Sequence, residues 1–416
     1  MTFVVATRKL AQMPNWVRVS DVFKSDSDTE FLKRAGVTSL DDPRFQKYSQ
    51  RLARLRGIRR YTYRMDVLER SLSYEEVTEI FVRVNSLGAK LRSSDLALAQ
   101  ITAKWRNSLE GFLLFQSDCR DLGFDLDLGI HLKNLVTFAT GQSRFLTVGA
   151  IPVERLKDAW VRCQKGMHFA LSFLKSNAGI TSPVLLSSPF ITVALSYYGA
   201  CRGFELSNDE AKSLRHWVLF ANAKGRYSRG SSETILDQDL AIMKQGGSVG
   251  QLLERLRAQV GRLSIAPEEL EGRNQRSALF KTMFLAFKEA GARDWKSKLE
   301  IAIDHAGAQH RLQFHHIFPK AFLKPIYGTR EADDIANLCF IDGKTNRTIG
   351  ARGPAEYLSQ VLVDGGSEIL SAQCIPTEPH LLGLDAYREF LAERRRRIAD
   401  RLNELLEVER LETPTA

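Results

Sequence analysis

The stretch LQFHHIFPKAFLKP, residues 312–325, sets two histidines side by side in a chain that has eight in all. Apolar and polar residues alternate into the pair, which is a strand pattern, and Pro319 then ends or redirects the strand. The other half of the pattern lies downstream in IANLCFIDGKTNRTIGARGPAEYL, residues 335–358. Its first eight residues read as a second short strand, turned by Asp342-Gly343, and the remainder starts as loop and becomes helix. The resulting order is strand, loop, strand, helix. His316 to Asn337 is 337 − 316 = 21 positions, and Asn337 to Asn346 is 346 − 337 = 9.

That spacing suits a single-metal site for phosphodiester cleavage. Such a site needs a general base for the attacking water, and a neutral imidazole serves well. It needs a cation against the charge of the scissile phosphate. It also needs the base held in one tautomer and one orientation. Adjacent residues of a regular strand face opposite ways, so His315 and His316 cannot both reach one point from it. A strand end or bulge near Pro319 is expected to let one meet a metal ion and the other the water, with the Asn346 carbonyl oxygen on the same ion. A structural zinc module on His315, His316 and Cys339 matches less well, because such sites favour several thiolates at short spacing.

The rest of the chain bounds the context. At 416 residues it is long enough for two or three domains, and at 44% hydrophobic it can bury sizeable cores. Lys and Arg total 59 against 49 Asp and Glu, a net charge of +10 that favours a polyanionic partner. Five scattered cysteines form neither a CxxC metal site nor an even disulfide framework. The apolar run at the start is too short for a signal peptide. Ser176 to Cys201 carries no charge, but Pro183 and Pro189 interrupt it, so it reads as a buried helix with Ser188 as N-cap and Pro189 in its first turn. No membrane segment is expected, and the protein reads as soluble and cytoplasmic.

Along the chain, RLARLRGIRR (51–60) is a basic run that suits a solvated helix face at least as well as a phosphate contact. Ser73 and Glu76 form a capping box before Val77, Ile80, Phe81 and Val84, and Asn85 and Gly88 end that helix. A second helix is expected from Ser93 or Ser94, with Asp95 in its first turn. Residues 108–260 read mainly as helices, with His168 and His216 as packed or surface residues rather than ligands. Asp304-His305 lacks the proline and strand that should follow a nuclease histidine. The final amphipathic helix carries an apolar stripe of Tyr387, Phe390, Leu391, Ile398, Leu402, Leu405 and Leu406. Arg394–Arg397 lie beside it, some of them expected to face solvent within reach of phosphate.

HHIFPKAFL, IANL and KTNRTIG together resemble the HNH (ββα-metal) nuclease motif, and in particular the HNH domain of GmrSD-type modification-dependent (type IV-like) restriction enzymes. The resemblance implies that His316 is the general base, His315 and Asn346 are metal ligands, and Asn337 holds the loop that orients His316. It implies a divalent ion, Mg²⁺ or Mn²⁺. IFVRVNSLGAKLRSSDLALAQI (80–101) is similar to the end of the ParB/sulfiredoxin-like NTPase domain of the same proteins, through Phe81, Arg83, Asn85, Gly88, Leu91, Asp95 and Leu96. The Asp-Gly-Gln-Gln-Arg signature of that domain does not occur. The chain then begins partway through the domain, through truncation, a separately encoded N-terminal NTPase part or loss of the activity, and NTP hydrolysis by this chain alone is not expected.

The expected fold is mainly α with a small α+β part. Residues 1–107 form a truncated ParB-like remnant, 108–265 a helical middle, and 266–416 an HNH domain with a long C-terminal helix. The expected function is a metal-dependent DNA endonuclease acting in anti-phage restriction of modified or foreign DNA. The alternative is a catalytically inactive DNA-binding or regulatory subunit of a defence system, which the same basic charge would serve. DNA is the expected partner, and self-association stays open.

Overall fold

The computed structural model describes residues 2–63, 65, 67–69, 71–72, 76–77, 80, 92–303 and 312–408. The expected helix and tight loop over 73–91, with Phe81, Arg83, Asn85, Gly88 and Leu91, lie largely outside the described residues, as do Asp304 and His305. The chain is mainly helical with a small antiparallel sheet of two strands. Packing divides it into two units, Met1–Ser73 and Tyr74–Ala416.

In the first unit the helices Val19–Lys24 and Pro43–Gly57 share a small core of Val22, Leu52 and Leu55. The basic run is partly internal to this unit. Leu52 and Leu55 alternate with its arginines, Arg56 binds Asp28 at 2.5 Å, and Arg59 donates to the Phe23 carbonyl at 2.6 Å.

The second unit has one continuous apolar core from Ala97 to Val408. Helix Val153–Ser176 buries Leu156, Ala159, Cys163, Met167, Ala170 and Leu174, a stripe at three- and four-residue spacing. It packs on helices Leu128–Thr140 and Phe190–Cys201. Asn134 ties the three together, donating to the Cys163 carbonyl at 3.1 Å and to Ser196 Oγ at 3.0 Å. Gly166 lets them approach: a Cβ there would lie 2.6 Å from Phe138 and 2.9 Å from the Ser196 carbonyl. The uncharged stretch forms the buried helix Phe190–Cys201, one residue later than expected. Pro189 is its N-cap residue and Ser188 Oγ accepts from the Phe190 amide at 3.3 Å. Among the described residues no helix is long and apolar enough to cross a membrane. Helix Ser93–Lys104 is preceded by Arg92 as N-cap, not by a serine; the Asp95 carboxylate accepts from the Arg92 amide at 3.0 Å.

Strand β1 (Leu312–His316) pairs with strand β2 (Leu338–Asp342), Phe314 opposite Phe340 and His315 opposite Cys339. The segment between them, expected as loop, contains helix Lys320–Ala332. Asp342-Gly343 is not a turn but the start of helix Gly343–Ile349, with Asp342 as N-cap. Helix Ala278–Glu289 lays Phe280, Phe284 and Phe287 on one face of the sheet, with ring centroids 5.1–6.0 Å from Phe340. The arginine run on helix Tyr387–Leu405 departs from expectation. Arg394 is fully buried, donating to the carbonyls of Ala336 at 2.7 Å and Gln373 at 3.0 Å. Arg395 binds Asp334, and Arg397 binds Glu378 and Glu393. Arg396 is more than half exposed, paired with Glu393 and Asp400. The run therefore braces the fold, because Arg394 falls in register with the apolar stripe three residues after Leu391 and four before Ile398.

Two outcomes follow. Arg394→Met leaves two buried carbonyls without a donor and should lower stability by about 2–4 kcal/mol. Arg396→Met should leave the melting temperature close to that of the parent. His131, at 1% exposure, is packed against the Phe115 ring, and neither of its ring nitrogens has a hydrogen-bond partner among the described residues. Burial brings its pKa down from the ordinary 6.5 to about 4, with Asp127 opposing that shift. Between those values the unfolded chain binds a proton that the folded chain excludes, so stability falls as pH drops through that window. His131→Leu should remove on the order of 3 kcal/mol of that acid sensitivity, read as a smaller loss of melting temperature between pH 7 and 4.5.

Candidate functional site

β1 runs in regular register to His316, without a bulge, and ends there; Ile317 and Phe318 then bend before Pro319. Strand alternation accordingly sends the two histidines to different partners. His315, 4% exposed, faces helix Gly343–Ile349, and its Nδ1–H donates to Asn346 Oδ1 at 2.8 Å. Its ring meets Trp295 edge-on at 6.0 Å and Tyr357 at 5.8 Å. Burial lowers its pKa to about 4, despite the Asn346 bond that favours the charged form, so the ring is neutral around pH 7. Nε2 is buried with no hydrogen-bond partner among the described residues.

Asn346 is positioned from outside the motif. Asp342 caps its helix, accepting from the Thr345 amide at 2.7 Å. Asp294, 3% exposed, accepts from the Asp342 amide and from Thr345 Oγ1, both at 2.8 Å, while also closing its own turn through the Lys296 and Ser297 amides. Burial pushes the Asp294 carboxyl up, but these hydrogen bonds outweigh it and hold it below the usual range.

Asn337 is fully buried and clamps the bend that follows His316. Its Oδ1 accepts from the Phe318 amide at 2.9 Å, and Nδ2 donates to the carbonyls of Phe318 and Ala332, each at 3.1 Å. Its own carbonyl accepts from the Ile317 amide at 2.8 Å, and the Tyr357 hydroxyl donates to the Ile317 carbonyl at 2.9 Å. Asn337 thus reaches His316 through the backbone of residues 317 and 318.

His316, on the other face, is about a quarter exposed. Its Nε2 lies 3.1 Å from Asp333 Oδ1, and Lys320 Nζ binds both oxygens of that carboxylate at 2.7 and 2.6 Å. Partial burial raises the Asp333 carboxyl, and the hydrogen bonds from Lys320 and His316 more than reverse this, leaving it lowered. Sequence reasoning found neither Asp294 nor Asp333. Each is a single carboxylate outside the strand–helix frame, and the acid at the end of KAFLKPIYGTREAD carries no periodic signal.

A divalent ion with ligands at 2.0–2.1 Å in octahedral geometry has neighbouring ligand atoms about 3 Å apart. His315 Nδ1 and Asn346 Oδ1 lie 2.8 Å apart, but they are hydrogen-bonded to each other, so the two would have to turn from one another before both could face one ion. Binding through Nδ1 requires its proton to move to Nε2, the buried nitrogen that lacks a partner. The zinc arrangement with Cys339 finds no comparable geometry. The Cys339 thiol turns to the His315 carbonyl at 3.6 Å and burial pushes its pKa up to about 12. Among the described residues there is no group of three or more His, Cys, Asp or Glu side chains placed for a metal.

Asn337→Ala should cost about 2–4 kcal/mol, because it strands the amide and carbonyl of Phe318 and the Ala332 carbonyl. Hydrogen exchange at the Phe318 amide should accelerate more than at the β1–β2 amides.

No protein-family model matches the chain. It is similar to an uncharacterized protein of Methanocaldococcus jannaschii, 24% identical over 327 residues. The match covers 72% of this chain and 53% of that protein, so the chain spans about half the length of the relative it matches.

Proposed function

We propose that the protein is a metal-dependent DNA endonuclease of the HNH type, of the GmrSD-like restriction class, directed at modified or foreign DNA. The observation that carries this reading is the order of β1, β2 and helix Gly343–Ile349, which carries His315, His316 and Asn346 as the motif calls for, with Asn346 hydrogen-bonded to His315 and His316 on the opposite face of β1. A helix follows β2 and supplies Asn346, which gives the ββα order that the motif calls for, with helix Lys320–Ala332 inserted between the strands. On this reading residues 266–416 are the nuclease domain, residues 108–265 a helical domain, and residues 1–107 the remnant of a ParB-like domain.

In the reaction, His316 takes the proton of a water whose oxygen attacks phosphorus, and the bond from phosphorus to the leaving sugar oxygen breaks. A bound divalent ion would offset the charge on the phosphate and on the leaving oxygen. His315 and Asn346 are the residues that would hold that ion. Asn337 keeps His316 in place through the 317–318 bend. Trp295 and Tyr357 exclude water from the back of the His315 ring.

Plasmid cleavage across a Mg²⁺ and Mn²⁺ titration, with and without modified bases in the DNA, tests this. His316→Ala should lose about 10²–10⁴-fold in rate at every ion concentration. DNA affinity should hold, since phosphate contacts supply most of it. His315→Ala and Asn346→Ala should weaken ion binding, so excess ion should partly restore them. Chelation by EDTA should stop cleavage without unfolding the protein. If the parent protein binds DNA but cleaves nothing under any of these conditions, the non-catalytic DNA-binding or regulatory reading replaces this one.

A further inference from the structure

We propose that Asp333, clasped by Lys320, is the positioning residue that selects the His316 tautomer. This rests on His316 as the general base, and it extends that reading to residues outside the nuclease motif.

The geometry is specific. Lys320 is the first residue of helix Lys320–Ala332 and Asp333 is the residue that ends it. Along a straight helix those positions would lie roughly 20 Å apart. Lys320 Nζ nevertheless contacts both Asp333 oxygens. The reversal occurs at Gly328, whose φ of 78° and ψ of 171° interrupt the helix in a conformation that glycine alone adopts without strain. Two short helical segments therefore fold back on each other between β1 and β2. Their ends bring the Asp333 carboxylate to His316 Nε2.

Lys320 occupies both carboxylate oxygens, and Oδ1 also accepts the imidazole Nε2–H. A carboxylate can only accept a hydrogen bond, so the proton of the neutral ring sits on Nε2 and the lone pair on Nδ1. That pins the ring by Nε2 and leaves the Nδ1 lone pair as its basic site. When Nδ1 takes the proton, Asp333 also stabilises the imidazolium that forms. Asn337 controls where the ring is attached, and Asp333 controls which of its nitrogens is bare.

The test reads the tautomer directly. Histidine-selective ¹⁵N labelling of the full chain, observed near pH 8, separates the ring nitrogens of His316, assigned by loss of its signals in His316→Ala. The parent should show protonated Nε2 and bare Nδ1. In Asp333→Asn, Lys320 claims the amide oxygen and turns the NH₂ group to the ring. The tautomer should then invert, and cleavage should fall at least about tenfold with no change in the ion concentration for half-maximal rate. Asp333→Glu should recover the parent tautomer. Lys320→Met breaks the clasp between helix ends but leaves a carboxylate on the ring, so it should keep protonated Nε2. An unchanged tautomer in Asp333→Asn, or a tautomer that follows Lys320→Met instead, overturns the proposal. Because this readout needs no cleavage, a parent protein with protonated Nε2 and no nuclease activity would sink the nuclease reading while leaving the ring-positioning role of Asp333 standing.

Discussion

A buried guanidinium holds the site-bearing half together. Arg394 reaches from the C-terminal helix into the core and donates to the Ala336 carbonyl on one side and the Gln373 carbonyl on the other. Burial disfavours its charge, and charge-assisted bonds to two carbonyls offset that cost. One carbonyl belongs to the residue before Asn337. The other belongs to Gln373, whose side-chain amide pairs with both the amide and the carbonyl of Phe340 at 2.8 Å. Gln373 thus acts as a one-residue strand on the outer edge of β2. An isolated two-stranded sheet is marginal in water, so closing that edge is what lets so small a sheet keep its register.

The register in turn decides the chemistry. Phe314 and Phe340 face each other beneath Phe280, while His315 and Cys339 face the opposite way toward Trp295 and Tyr357. A slip by one residue would exchange these faces. It would drive an imidazole among phenylalanines and set a phenyl ring in the place where His315 meets Asn346. The aromatic layer supplied by helix Ala278–Glu289 therefore makes the placement of both histidines a packing requirement as well as a chemical one.

The parts of the site that were legible in the sequence are those written in local pattern. Alternation around the histidines and the run of apolar residues after Asn337 indicate two strands, and the intervals to Asn337 and Asn346 single out those residues. The helix between the strands was not legible, because Pro325 and Gly328 are loop signals; here Pro325 lies within the helix and Gly328 reverses it. Asp294 and Asp333 act over separations that no periodicity reports. Arg394 is a different case. Its spacing from Leu391 and Ile398 placed it on the buried stripe, and the charge of its neighbours in the run hid that register.

Two identical side chains, one residue apart, end in opposite environments, and this separates their roles. Around His315 the surroundings are aromatic and dry, with one amide oxygen as polar partner. A ring held neutral there keeps a lone pair on one of its nitrogens. Around His316 there is partial solvent access and an ionised carboxylate, the surroundings that the proposed general base would need. Exchanging the two environments would set a carboxylate beside the ring that now faces Trp295 and Tyr357 and would bury the other ring away from water. The strand achieves the separation with no more than its two-residue alternation, provided that both faces are covered by different partners. That condition explains why so much of the fold, from Phe280 to Arg394, is committed to holding one ladder of five residue pairs in place.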